Sequence, residues 1–166
     1  MGQTQNYKKI LLMFFNDNYI EKYCRVVLKI KNIKIPEELG FFNLTKNSNL
    51  IYTILSSKMR RIWLHHFLGT HAVILIINSN DIKENINEII SILGNNSIKN
   101  CPILIIIDKQ LNNDTNFKEL ETLRYELLLK NIEYNFVSVN FDELMFNSEL
   151  FYGIDWIDEQ INKKII

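Results

Sequence analysis

Residues 71–107 read HAVILIINSNDIKENINEIISILGNNSIKNCPILIII. The segment opens on a β-branched apolar run, His71 to Ile77, and closes on another, Pro102 to Ile107. Runs this short, apolar on both faces and bounded by Asn, Gly or Pro, read as buried strands. Between them Ile82, Ile86, Ile89, Ile90 and Leu93 recur at helical spacing, and Gly94 stands where that helix would stop. Strand, helix, strand in this order predicts a right-handed crossover joining parallel neighbours.

The same alternation continues in both directions. Lys9 to Phe15 (KILLMFF), Asn49 to Leu55 (NLIYTIL) and Tyr134 to Val139 (YNFVSV) are further strand candidates. Phe117, Leu120, Leu123, Leu127 and Leu128 form one helical pattern; Leu150, Phe151, Ile154, Ile157 and Ile161 form another, with Lys163 and Lys164 in its last turn, favourable for the helix dipole. The expected architecture is α/β: a three-layer domain with a mostly parallel sheet and helices on both faces. A short extension, residues 1–8, is expected to precede a single domain at 9–166. Ligands of such sheets bind beyond the carboxyl ends of the strands, which directs attention to the loop after the first strand.

Composition narrows the function classes. A chain of 166 residues, 47% hydrophobic, can build one core. Nineteen basic and 19 acidic residues balance to a net charge of +0, which argues against a general nucleic-acid binder, whose phosphate contacts need a cationic surplus. The apolar runs are far shorter than the ~20 residues a bilayer span requires, and no secretory pattern opens the chain. Two cysteines, Cys24 and Cys101, make no disulfide framework. These features lead to the expectation of a cytoplasmic protein. His65, His66 and His71 are poor joint metal ligands, because adjacent helical residues point about 100° apart and no Cys or carboxylate cluster accompanies them. No metal site and no Ser-His-Asp hydrolase is expected.

The loop after the first strand reads Phe14, Phe15, Asn16, Asp17, Asn18, Tyr19, Ile20, Glu21, Lys22. A phosphate-binding loop needs glycines so that backbone N–H groups can approach the phosphates, and a Lys with a Ser or Thr at the helix start. No glycine lies between Gly2 and Gly40, and no Gly-Lys pair occurs. Asp17, Asn18 and Glu21 place acceptors and negative charge where phosphates need donors. Only Lys22 offers a cation there.

Several segments nevertheless resemble the ADP-ribosylation-factor (Arf/Arl) family of small GTPases. Arg61-Ile-Trp63-Leu-His-His66-Phe67, followed by His71-Ala-Val-Ile-Leu-Ile-Ile-Asn-Ser-Asn-Asp81, is similar to the family's Leu-Trp-Arg-His-Tyr-Phe helix end and the strand closing on Asp-Ser-Asn-Asp. Asp108-Lys109-Gln110-Leu111 looks like the guanine-reading Asn-Lys-Gln-Asp, and Tyr152-Gly-Ile-Asp-Trp-Ile157 like Glu-Gly-Leu-Asp-Trp-Leu of the last helix. Ile35-Pro36-Glu-Glu-Leu-Gly-Phe41 is similar to the Ile-Pro-Thr-Ile-Gly-Phe of switch I, with one inserted residue. The resemblance runs in order from Lys9 to Lys164.

Carried over residue by residue, the resemblance implies a degenerate nucleotide site. The glycine-rich loop falls on Phe14 to Glu21, and the switch I Thr on Glu37 or Glu38. The Asp-x-Gly-Gly-Gln of switch II falls on Tyr52 to Ser56, and the base-reading Asp on Leu111. Asp108, Lys109 and Lys22 are the residues that would touch a nucleotide if one binds. The expectation is a protein with no cofactor and no catalytic residue: a pseudoGTPase serving as a protein-binding module in membrane traffic. A divergent protein that still binds GTP or GDP with Mg, with slow or no hydrolysis, is one alternative; a permanent structural subunit of a complex is another.

The family's aromatic effector trio corresponds to Phe41, Ile51 and His66, and these, with Trp63 beside the basic cluster Lys58, Arg60 and Arg61, are the expected surface for a protein partner. Gly2 is the position the family myristoylates, although residue six here is Asn rather than Ser or Thr. One acyl chain gives only marginal membrane binding, so weak peripheral association with an endomembrane is the expectation.

Overall fold

The Ile-rich runs pair as parallel strands, because side chains apolar on both faces are satisfied only between two covering layers. The computed structural model describes residues 7–31, 40–47, 49–109 and 118–163. Gly2, residues 35–39, Gln110, Leu111, Phe117 and Lys164 lie outside the described residues. Among the described residues six strands form one sheet: β1 (Lys8–Phe14), β2 (Phe41–Asn47), β3 (Leu50–Leu55), β4 (Ala72–Asn78), β5 (Ile103–Asp108) and β6 (Tyr134–Val139). Their order is β2-β3-β1-β4-β5-β6, with only β2 antiparallel to its neighbour. Strand β1 lies between β3 and β4, with Ile10 opposite Tyr52 on one side and Ala72 on the other.

Helices α1 (Ile20–Val26) and α4 (Ser148–Lys163) cover one face, over Ile10, Leu12, Ile54 and Ile74. Helices α2 (Ser79–Leu93) and α3 (Lys118–Leu129), with a 3-10 segment at Ser57–His66, cover the other, over Leu11, Met13, Leu75 and Ile105. The Asn78-Ser-Asn-Asp81 motif is a capping box that starts α2: Asp81 N–H donates to Asn78 Oδ1 (2.8 Å), and Asn78 N–H to Asp81 Oδ2 (3.3 Å). Gly153 explains why α4 carries Tyr-Gly-Ile-Asp-Trp. A Cβ there would stand 2.7 Å from Val137 Cγ2 and 3.0 Å from Leu104 Cδ1, so the glycine lets α4 settle onto β5 and β6.

Two expectations need correction. Strand β2 was not anticipated, because FFNLTKN mixes polar and apolar residues as an edge strand does. Leu128, assigned to the buried stripe of α3, is 69% exposed. Leu127 takes the inward position, and the next residue points about 100° away.

Tyr23 is fully buried, its ring edge-on to Phe14 at 5.7 Å. Its hydroxyl has no hydrogen-bond partner among the described residues. Burial first, then the neighbouring Tyr52, Cys24 and Asp158, push the phenol well above its ordinary range. A buried hydroxyl without a partner is costly. Tyr23→Phe is therefore expected to raise stability by about 1 kcal/mol and Tm by about 2–4 °C in a thermal melt.

The amino ends of β1 and β4 are joined by a side chain. Lys9 N–H donates to His71 Nδ1 (3.0 Å), and His71 N–H donates to the Lys9 carbonyl (2.8 Å). The acceptor role requires neutral imidazole, and burial, then Lys8 and Lys9, lower the His71 pKa below 6.5. With the folded value depressed, the unfolded chain takes the proton first. Stability is then complete above about pH 6.5 and declines as pH falls toward the folded value. Melting from about pH 7.5 to about pH 5.5 should show this decline, and His71→Gln should flatten it.

Candidate functional site

The carboxyl ends of β1, β3, β4, β5 and β6 lie along one edge of the sheet, and sheets of this type bind ligands in the cleft formed by the loops there. The loop leaving β1 has no glycine and closes on itself. Asn16 Oδ1 accepts from Asn18 N–H at 3.0 Å, and the Asn16 carbonyl accepts from Tyr19 N–H at 3.3 Å. Ile20 N–H donates to the Asp17 carbonyl, which completes a 3-10 turn at Asp17–Tyr19 leading into α1. The amides of residues 18, 19 and 20 are thus spent inside the loop.

Two acidic side chains tie this loop to its surroundings. Asp17 Oδ2 accepts from Ser56 Oγ at 2.8 Å. Its Oδ1 accepts from Ser57 N–H at 2.8 Å and Ser57 Oγ at 3.0 Å. The loop after β1 is therefore latched to the loop after β3. Asp108, at the end of β5 and 7% exposed, accepts from the Tyr19 hydroxyl at 2.7 Å and from Phe141 N–H at 3.3 Å. The Tyr19 ring packs on Phe141 with centroids 4.3 Å apart. Tyr19 and Phe141 are 9% and 5% exposed, so the pair fills the space between the β1 and β6 loops.

The remaining sequence-derived candidates fall in different places. Lys109 is half-buried, and its backbone N–H donates to the Val139 carbonyl at 2.8 Å. Lys22 is half-buried on α1. Phe41 and His66 meet, ring centroids 4.3 Å apart. Ile51 shares their side of the sheet, since β3 alternation puts it on the face of Leu55, the register partner of Phe41.

Trp63 corrects the expected partner surface. It is 1% exposed, donates from Nε1 to the Ser56 carbonyl (2.9 Å) and stands edge-on to Phe15 at 5.4 Å. Its neighbour Arg60 lies over the outer side of that cluster, 4.8 Å from the Phe15 ring and 3.3 Å from Glu88. The basic flank is real, but the indole is core that braces the Asp17-bound loop. Tyr19 and Phe141 were not identified in sequence as a pair. Their one signal was an aromatic at the end of a loop that ought to be glycine-rich.

Comparison with known proteins identifies the fold and the family. The Arl6 BBS3 small GTPase of Trypanosoma brucei, whose structure was determined with the bound nucleotide analogue GppNp, superimposes with a TM-score of 0.69. The superposition covers 95% of this chain and 98% of that one at 15% identity, so this is a small-GTPase fold. Residues 55–161 match the model of the ADP-ribosylation factor family, and the chain belongs to that family. ADP-ribosylation factors K and J of Dictyostelium discoideum are each 29% identical over 111 residues. The matches cover 64% of this chain and 57% of each relative, so they span little more than half of the relatives' length. Among the described residues no cluster of three His, Cys, Asp or Glu side chains is placed to hold a metal ion, and no helix is long and apolar enough to cross a membrane.

Proposed function

We propose that this Arf-family chain is a pseudoGTPase in which internal side chains stand in for the nucleotide, and that it acts as a protein-binding module in membrane traffic. The observation that carries the reading is Tyr19, stacked on Phe141 and hydrogen-bonded to Asp108, in the cleft where the fold would receive a ligand. A Mg-bound triphosphate fits these residues poorly. The amides of residues 18, 19 and 20 are internally bonded, the Asp17 carboxylate on the loop after β1 opposes phosphate charge, and Asp108, at the position of the family's guanine-reading Asn, is taken by the Tyr19 hydroxyl.

Magnitudes support the same reading. Withdrawing Tyr19 breaks a hydrogen bond to a charged group, ~1.5–3 kcal/mol, and an aromatic pair, ~0.5–1.5 kcal/mol. An opening cost of about 3–4 kcal/mol leaves an open fraction of only ~10⁻²–10⁻³, which weakens any nucleotide by the inverse factor. The loss of loop, metal and base contacts then adds to that penalty.

A fixed cleft suits a constant binding surface. Phe41, Ile51 and His66 share one side of the sheet beside the latched loop, and they are the proposed contact for a protein partner. Purified chain, extracted and assayed for guanine nucleotide, should carry none, and excess Mg·GTP or Mg·GDP should leave Tm unchanged. A ligand at ~100-fold its Kd stabilises by about 2.7 kcal/mol, so an upward shift of several degrees would favour the nucleotide-binding alternative.

A further inference from the structure

The two edge strands of the sheet differ. Strand β2 carries a register irregularity between Thr45 and Asn47, a feature that discourages pairing with another chain. Strand β6 at the other edge, Tyr134-Asn-Phe-Val-Ser-Val139, has no charge, proline, glycine or irregularity, and keeps register with β5 along its whole length. An edge of this kind invites a further strand.

The ladder shows which backbone groups are left over. Ile103 N–H donates to the Glu133 carbonyl at 2.9 Å, and Lys109 N–H donates to the Val139 carbonyl at 2.8 Å. A parallel ladder uses alternate residues of each strand, so residues 133, 135, 137 and 139 are the ones that bond to β5. The N–H and C=O groups of Tyr134, Phe136 and Ser138 point away from β5, where nothing among the described residues bonds to them. Each of the three presents one donor and one acceptor, which an antiparallel strand satisfies residue by residue.

Helices flank this edge on both faces of the sheet and turn exposed apolar side chains toward it. On one face Arg124 of α3 lies over the Phe136 ring, 5.1 Å from its centroid, and Leu128, one turn along the same flank, is 69% exposed. On the other face α4 sits directly over the β5–β6 pair, with Gly153 against Leu104 and Val137. The Gln160 side-chain amide bridges Trp156 Nε1 (3.2 Å) and the Glu133 carboxylate (2.6 Å), so this flank of α4 faces the β6 edge. Tyr152, one turn before Trp156, is 74% exposed.

We propose that β6 pairs antiparallel with β6 of a second copy of this chain, about a two-fold axis at Asn135, so that the two sheets run on as one. Centred there, the pairing sets Tyr134 opposite Phe136 of the second copy, an aromatic cross-strand pair, and keeps the two Arg124 side chains from meeting. The helices select a second copy over a foreign strand. A helix seated over the outer strand pair comes to lie two strand spacings, ~10 Å, from its two-fold mate, which is the distance at which helices pack. The two α4 helices then meet through their Tyr152 and Trp156 flanks. Paired strands alone fall short of the ~800 Å² per copy that a stable dimer buries, and the helix flanks supply the remainder. Pairing consumes the edge, so association stops at two copies. Strand β2 lies at the far side of each sheet, so the dimer depends neither on the Phe41 surface nor on what the cleft binds.

The test is analytical ultracentrifugation of the full chain over a concentration series up to about 200 μM, with amide hydrogen exchange read at the same concentrations. The chain should pass from monomer to dimer. Exchange at Tyr134, Phe136 and Ser138 should slow as the dimer forms, while Asn135, Val137 and Val139 stay slow throughout. The double variant Leu128→Lys, Tyr152→Lys should dimerise about tenfold more weakly and melt like the parent chain, since both side chains are largely exposed. Ser138→Pro removes one outward donor without touching the β5 ladder, and it should weaken the dimer as well. A dimer in which those three amides exchange freely, or one that the double variant forms equally well, would overturn the proposal. So would a chain that stays monomeric over the whole series, which would leave the edge to a strand of another protein.

Discussion

Tyr19→Ala is expected to lower stability by about 3–5 kcal/mol and Tm by about 10–15 °C, the largest effect of any single substitution in the cleft. Two losses combine. The ring leaves a space against Phe141, and Asp108 loses its 2.7 Å hydroxyl partner while only 7% exposed. Tyr19→Phe separates them: it keeps the ring and should cost about 2 kcal/mol, the loss of one hydrogen bond to a buried carboxylate. Adding Asp108→Asn to Tyr19→Phe should recover part of that loss, because the amide needs its partner less than the carboxylate does, and the coupling energy of the cycle measures the pair. Tyr19→Ala should not create nucleotide binding, since the loop amides stay bonded within the loop. Denaturant melts of the parent chain, Tyr19→Ala, Tyr19→Phe, Asp108→Asn and the double variant would check these stabilities. A Tyr19→Phe variant as stable as the parent would remove the hydroxyl from the account.

The second large effect belongs to Asp17. Its carboxylate takes three hydrogen bonds from Ser56 and Ser57 across 39 and 40 residues of sequence. Asp17→Ala should cost about 2–3 kcal/mol and about 5–10 °C in Tm, less than the sum of three charged hydrogen bonds because the site is half-buried and water replaces part of each. Asp17→Asn retains an acceptor for the Ser57 amide and should cost about 1 kcal/mol. The sharper readout is amide hydrogen exchange at Ser57, which should speed up in Asp17→Ala and remain slow in Asp17→Asn. Unchanged exchange in the alanine variant would mean that the latch does not hold the β3 loop.

These two side chains show where the sequence could be read and where it could not. The parallel sheet was legible because Ile and Leu runs such as Ile103–Ile107 have no alternative to burial on both sides, and each strand came within a residue or two of its observed limits. Strand β2 was not, since half-polar FFNLTKN is stabilised by pairing with β3 rather than by its own pattern. The loss of glycines after β1 was plain, and it located the cleft. What fills the cleft depends on contacts between Tyr19 and Asp108, 89 residues apart, which no local spacing encodes. Trp63 was misplaced for a related reason. Beside Lys58, Arg60 and Arg61 it resembles an exposed aromatic, but the indole N–H finds the Ser56 carbonyl seven residues back and turns inward.

The proposed partner surface rests on the same fixed geometry. If Phe41 and His66 are held in contact by a permanently latched loop, partner binding should be indifferent to added guanine nucleotide, in contrast to a switch protein whose affinity changes with its ligand.

Calorimetric titration of Mg·GTP into the freshly purified chain addresses the closed cleft most directly. With Tyr19 packed on Phe141 and Asp17 joined to Ser57, only the heat of dilution should appear, and any affinity should be weaker than about 100 μM. A saturable one-to-one isotherm in the sub-micromolar range would contradict it.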